Sequence, residues 1–147
     1  MRRYFILILF FSFISYISFP VSAQSKYAVS LIPEDLKKDA NAVVRDKYFK
    51  VEIIAQDKMV YTNAEVITIL NKKAENQEFI HLNFDNDQSI KSAEILIYDA
   101  EGNQIKKINK SDFSESSVTD GFSLYTDNRE LRYTHIPVNY PYSIAYR

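Results

Sequence analysis

Two histidines, a scatter of carboxylates and no cysteine are the raw material for any chemistry in this chain of 147 residues. His81 opens the stretch "HLNFDND", where His81, Asn83 and Asp85 recur at every second position and so share one face of a strand, a possible start for a metal site. One imidazole, one amide and one carboxylate do not close a coordination shell, and the expected role of the stretch is the polar face of a half-buried strand. The run "DNDQSI" from Asp85 approaches a calcium loop, but Ile90 stands where that loop needs glycine and Leu96 where it needs a bidentate glutamate. Thr119 to Gly121, followed by "YTDN", reads as a turn. His135 is the histidine nearest the serine-rich stretch, yet no serine has a glycine-flanked elbow, and nucleophilic catalysis needs serine, base and orienting acid together. The carboxylate pairs in "PEDL" and "DND" would serve a glycosidase only when placed across a cleft at a set separation, which sequence does not fix. With two glycines in all, a phosphate-cradling loop is excluded. No cofactor and no metal is expected.

The ends of the chain bound the function classes further. Met1 to Ala23 has the layout of a secretory signal: Arg2 and Arg3, then the apolar "YFILILFFSFISYISF", then "VSA" before Gln24. An uncleaved anchor is the rival reading, marginal for the roughly 20 apolar residues that span a bilayer because serines and Pro20 interrupt it. We expect export to the periplasm or cell exterior, with residues 1–23 as signal peptide, residues 24–147 as one domain, and no stable membrane span after cleavage. Of 18 basic and 19 acidic residues, cleavage removes two arginines and leaves 16 against 19, a net charge near −3. Basic residues scattered among acids argue against nucleic acid, and "KKINK" at Lys106 to Lys110 reads as the solvated end of a hairpin. "NKS" at Asn109 matches the glycosylation triplet, a pattern that chance supplies often. Without disulfides, an exported chain must rely on a packed core, and its length suffices for one.

The elements that carry these residues read as strands. "SLIPEDLKKDANAVVR" offers one or two helical turns, with Pro33, Glu34 and Asp35 at the start. "KYFKVEIIA" places Phe49, Val51, Ile53 and Ala55 on one side and pairs through "QDK" with "MVYTNAEVITIL". "EFIHLNFD" sets Ile80, Leu82 and Phe84 inward. "SIKSAEILIYD" and "NQIKKI" flank a loop in which Gly102 supplies positive φ. "NKSDFSESSVTDGFS" breaks the pattern before "LRYTHIPV" and "YPYSIAYR" resume it; Tyr140, Tyr142, Ile144 and Tyr146 share a face of the terminal strand. About seven short strands predict an all-β fold, an antiparallel β-sandwich, Ig-like or related, with a short N-terminal helix. A distorted barrel is the alternative. The 11 Tyr and 10 Phe could stack on a ligand, but in a chain without Trp or Cys most are expected to fill the core.

The segments "IPEDLKKDANAVVR", "ITILN", "SAEILIYDAEGNQIKKINKSDF", "SLYTDNRELRY" and "YPYSIAY", in that order from about Tyr27 to Arg147, resemble the domain of unknown function 3857. That domain follows the signal peptide in exported bacterial transglutaminase-like proteins. The resemblance implies a β-sandwich ahead of a papain-like core that holds the catalytic Cys, His and Asp, none of which can be carried over here. It also implies that the module continues past Arg147, so that its last strands are missing and the domain is incomplete at the C-terminus. The positions matching the family pattern are Ala42, Arg45, Asp99, Gly102, Asp127, Arg129 and Pro141. None has an assigned chemical role; Gly102 reads as a turn glycine, Asp99 as a strand-end residue, and Arg45, Asp127 and Arg129 as candidates for a charge pair that fixes a loop. The expected function is a non-catalytic interaction module, not an enzyme, partnered with a transglutaminase-like or peptidase-like catalytic domain. The alternative is a free-standing module gripping a glycan or peptide through exposed aromatics or an edge strand.

Overall fold

Isoleucine at every second position of β2 and β4 shapes the architecture, because a strand turns every second side chain to the same face. The computed structural model describes residues 26–118, 126–137 and 139–147; the signal segment and the Thr119 to Gly121 turn lie outside them. A 3₁₀ turn at Val29–Leu31 leads to one helical turn, α1 (Glu34–Lys37). Eight strands follow among the described residues: β1 (Ala42–Ala55), β2 (Lys58–Ile69), β3 (Phe79–Phe84), β4 (Glu94–Tyr98), β5 (Gln104–Asn109), β6 (Ser114–Ser117), β7 (Arg129–Thr134) and β8 (Tyr142–Tyr146). They form two antiparallel sheets, one of order β1-β2-β8-β4-β5 and one of order β3-β7-β6. The all-β, sandwich-like expectation therefore holds.

The register aligns isoleucines into the core. Ile67 lies opposite Ile144, which lies opposite Ile97, and Ile95 pairs with Ile108. These side chains, with Ile69 and Tyr142, meet Ile80 and Leu131 from the smaller sheet. Each fully buried side chain of this row contributes about 1.5–3 kcal/mol. Ile80 and Leu82 turn inward from β3 as expected. Among the described aromatics, Tyr142 and Phe113 are buried and Phe84, Tyr133, Tyr140 and Tyr146 pack against the core from its edges, whereas Tyr48, Phe49, Tyr61 and Phe79 are exposed. A β-branched side chain packs on a pleated sheet without needing a partner for a hydroxyl or ring, so isoleucine takes the inner positions.

The outer face of the larger sheet is also covered. Residues 26–32 lie across it: Val29 N–H donates to Ala100 O at 2.9 Å, the Tyr27 and Tyr98 rings sit 4.8 Å apart, and Ala28 and Ile32 are buried. Beneath this strap, Thr68 and Ser143 are 0% exposed and share a hydroxyl–hydroxyl hydrogen bond of 2.8 Å. The terminal strand is thus a central strand with both faces covered along Tyr142 to Ile144, not half-buried.

Candidate functional site

The strand pair β1–β2 outruns the rest of its sheet. β8 pairs with β2 only from Glu65 to Ile69, whereas β1 and β2 stay paired to Ala55 and Lys58. The result is a two-stranded ribbon projecting past β8. Residues directly opposite share a face, so Phe49, Val51 and Ile53 stand with Asn63, Tyr61 and Met59. In β2 these odd positions continue to Glu65, Ile67 and Ile69, which places the ribbon's Phe49, Val51, Ile53, Met59 and Tyr61 on the extension of the core-facing side. Nothing among the described residues covers them: Ile53 is 81% exposed, and Phe49 and Met59 64% each. The Phe49 and Tyr61 rings are neighbours at 6.4 Å. The five side chains present on the order of 500 Å² of mostly apolar surface, a patch of the size that marks interaction sites.

A polar belt separates this patch from the core. Tyr146 Oη donates to Glu65 Oε2 at 2.9 Å, and Lys47 Nζ lies 3.2 Å from the same oxygen. Burial, reinforced by the carboxylate, pushes the Tyr146 hydroxyl up to about 12. The opposite face of the ribbon is mixed, with Lys50 and Glu52 paired at 2.9 Å. The hydrogen bond to Glu52 raises the Lys50 pKa above its ordinary value.

Among the described residues, those singled out for chemistry do not form a Ser–His–acid arrangement. His81 Nδ1 meets Glu130 Oε2 at 3.0 Å, and Ser116 Oγ donates to Glu130 Oε1 at 3.1 Å. The order is serine, acid, histidine, with the carboxylate in the middle, so no imidazole can take the serine proton. The hydrogen bond from His81, against the opposing effect of burial and with help from Ser116 and Arg132, holds Glu130 below the usual carboxylate range, which makes it a weak base. Asp85 is spent on its own turn, accepting from the backbone of Asp87 and Gln88. His135 packs its ring on Tyr142 at 5.1 Å. No group of three metal-ligating side chains occurs among the described residues. An open dent of about 200 Å³ lies between Tyr27, Tyr48, Val66, Leu96 and Arg147, smaller than the roughly 300–1,000 Å³ of ligand pockets.

Of the seven family-pattern positions, Arg45, Asp99 and Gly102 converge on the strap. Arg45, at a bulge in β1, donates from Nη1 to Tyr27 O at 2.6 Å and Ala28 O at 3.1 Å, and from Nη2 to Lys26 O at 3.1 Å. Partial burial draws its pKa below the ordinary value, with Tyr27 opposing. Asp99 and Gly102 shape the β4–β5 turn whose Ala100 carbonyl receives the strap. Gly102 has φ 85°, and Asp99 accepts from the Asn103 backbone at 2.7 Å and side chain at 3.0 Å. Burial opposes ionisation of Asp99, but bonds from Asn103, Glu101 and Gly102 outweigh it and leave its pKa lowered. Ala42 begins β1 opposite Ile69, and Pro141 follows a cis peptide just before β8. The expected charge pair does not form: Arg45 binds backbone carbonyls, Arg129 pairs with Glu115 at 2.9 Å over the Phe84 ring, and Asp127 is exposed.

A family model described as "Domain of Unknown Function with solved-structure structure (DUF3857)" matches residues 55–147. The chain belongs to the DUF3857 family. The match contains Asp99, Gly102, Asp127, Arg129 and Pro141, while Ala42 and Arg45 precede it. Within this DUF3857 domain the match starts at the ribbon tip and runs through β2 to β8. No curated protein and no solved structure matches the chain. What the sequence missed in this DUF3857 domain was the ribbon's bare face. Its signal is present in the alternation of Phe49, Val51 and Ile53, which sets them on one side without stating whether that side is covered.

Proposed function

We propose that this DUF3857 chain is a non-catalytic interaction module, exported by its N-terminal segment, whose docking face is the apolar side of the β1–β2 ribbon. The observation that carries the reading is the row Phe49, Val51, Ile53, Met59 and Tyr61, bare and continuous with the core-facing side of the sheet. A surface built like the inside of a sandwich is suited to being covered by another folded unit. The sequence resemblance to modules ahead of transglutaminase-like cores suggests a catalytic domain of that kind as the partner. The wrong order of Ser116, Glu130 and His81, together with the absence of cysteine, supports a role without turnover of its own.

The test is titration calorimetry of the mature chain against a separately produced transglutaminase-like catalytic domain from a DUF3857 protein. Saturable binding, weakened at least tenfold by Phe49→Asp with Ile53→Asp, is expected. No binding, or binding that ignores the double variant, refutes the proposal.

A further inference from the structure

One rung of the larger sheet shows what the strap covers. Val43 stands opposite Thr68, Thr68 opposite Ser143 and Ser143 opposite Tyr98, so these four side chains form a row across β1, β2, β8 and β4 on the outer face. Val43, Thr68 and Ser143 are buried, although the smaller sheet packs against the other side. The strap is tied to the sheet from both sides of this rung. From β1, Arg45 holds the carbonyls of Lys26, Tyr27 and Ala28; beyond β4, Ala100 accepts from Val29, and Tyr27 packs on Tyr98. Arg45 reaches the strap because it is the extra residue of the β1 bulge, between Val44 and Asp46, and a bulge re-aims a side chain.

The connector from strap to sheet is built differently. Over Pro33 to Ala40 the backbone hydrogen bonds stay inside the segment, from Leu36 to Pro33, Lys38 to Glu34 and Ala40 to Lys37, and α1 buries no residue. Attachment to the sheet resumes at Asn41, whose carbonyl accepts from Leu70 at 2.9 Å. Two residues earlier Asp39 has φ 59°, in the left-handed region that a side chain with a Cβ disfavours.

We propose that residues 26–32 are a latch, a segment that lifts off the sheet as one unit, pivoting at Asp39, while both sheets stay folded. One guanidinium grips three successive carbonyls, so the grip is lost together rather than residue by residue. Ala28 and Ile32 are the strap's buried side chains, a small apolar area beside the isoleucine core, so lifting costs far less than unfolding the sandwich. The two states differ in what the outer face offers. Closed, the rung is sealed; open, it presents Val43, Tyr98 and the Thr68–Ser143 hydroxyl pair to solvent. The latch is a switchable cover on the face opposite the ribbon's bare row, and it does not depend on the docking proposal.

Amide exchange of the ¹⁵N-labelled chain at a series of low urea concentrations tests this. A local opening exposes little surface and barely responds to denaturant, whereas global unfolding responds strongly. The Val29, Leu31 and Ile32 amides are expected to share one opening constant, nearly independent of urea and at least about a hundredfold above that of the slowest β2 and β8 amides. Asp39→Pro gives a second readout. Proline cannot take the φ of the closed pivot, while Lys38 at φ −64° and ψ 124° already has the extended backbone that a following proline favours. This variant is expected to lose strap protection by at least about tenfold while the β2 and β8 amides stay protected and urea unfolding stays cooperative. Strap amides in the parent that follow the urea dependence of β2 and β8 overturn the latch. An Asp39→Pro chain that loses strap and strand protection together also overturns it, since the sheets then do not stand without the strap. Full strap protection in that variant overturns Asp39 as the pivot.

Discussion

Thr68 and Ser143 sit opposite each other on neighbouring strands, fully shielded from water, with their hydroxyls 2.8 Å apart. Ser143→Ala strands the Thr68 hydroxyl and Thr68→Val strands that of Ser143. Leaving one buried polar group without its partner costs about 1–3 kcal/mol, whereas removing both at once is close to neutral in polar terms. Each single variant is therefore expected to lose about 1–3 kcal/mol. The double variant should lose no more than the worse single, a coupling of at least about 1 kcal/mol, since both deletions concern one bond. Urea unfolding of the parent and the three variants at 25 °C reads this out, provided the dependence on denaturant is common to all. Additive losses, or singles each costing under about 0.5 kcal/mol, would refute the reasoning and mean that the hydroxyls find other partners.

The remaining predictions concern the polar belt and the strap. The Tyr146 hydroxyl titrates near 12 in the folded chain against an ordinary 10, so the stability it lends is full below pH 10 and drains away as pH rises from 10 to 12. Melting curves across that window should fall less steeply for Tyr146→Phe than for the parent; parallel curves would contradict the assignment. Arg45→Ala removes three hydrogen bonds from a cation to carbonyls, each worth more than about 1.4 kcal/mol, so tryptic cleavage after Lys26 should quicken at least about tenfold. An unchanged cleavage rate would show that the Tyr27–Tyr98 packing and the Val29 hydrogen bond to Ala100 hold the strap without Arg45.

Local alternation revealed much of this fold. Phe49, Val51 and Ile53 do share a face, β1 and β2 do form a hairpin, and Ile80 and Leu82 do point inward. Gly102 marks the β4–β5 turn because its φ of 85° suits a residue without a Cβ. What alternation cannot state is what lies against a face. The same pattern describes Ile67 at 5% exposure and Ile53 at 81%, because Ile67 packs with Ile80, Leu131 and Ile144 in the core and Ile53 lies outside that cluster. β6 escaped notice because "SESS" has little strand preference and is held by pairing with β7. Arg45 as a clamp was equally hidden, since its partners are backbone carbonyls 17 to 19 residues earlier and carry no side-chain signature.

The position of β8 has a consequence for how the molecule assembles in time. The larger sheet is two hairpins, β1–β2 and β4–β5, joined through a strand encoded after both. Until residues 142–146 emerge, neither hairpin has a neighbour in its sheet, and the pairings that close it span from 45 residues (Tyr98 to Ser143) to 81 (Glu65 to Tyr146). Contacts that distant are slow to form, and the halves remain open in the meantime. The two hairpins therefore join into one sheet only when β8 inserts between them, and neither can close it alone.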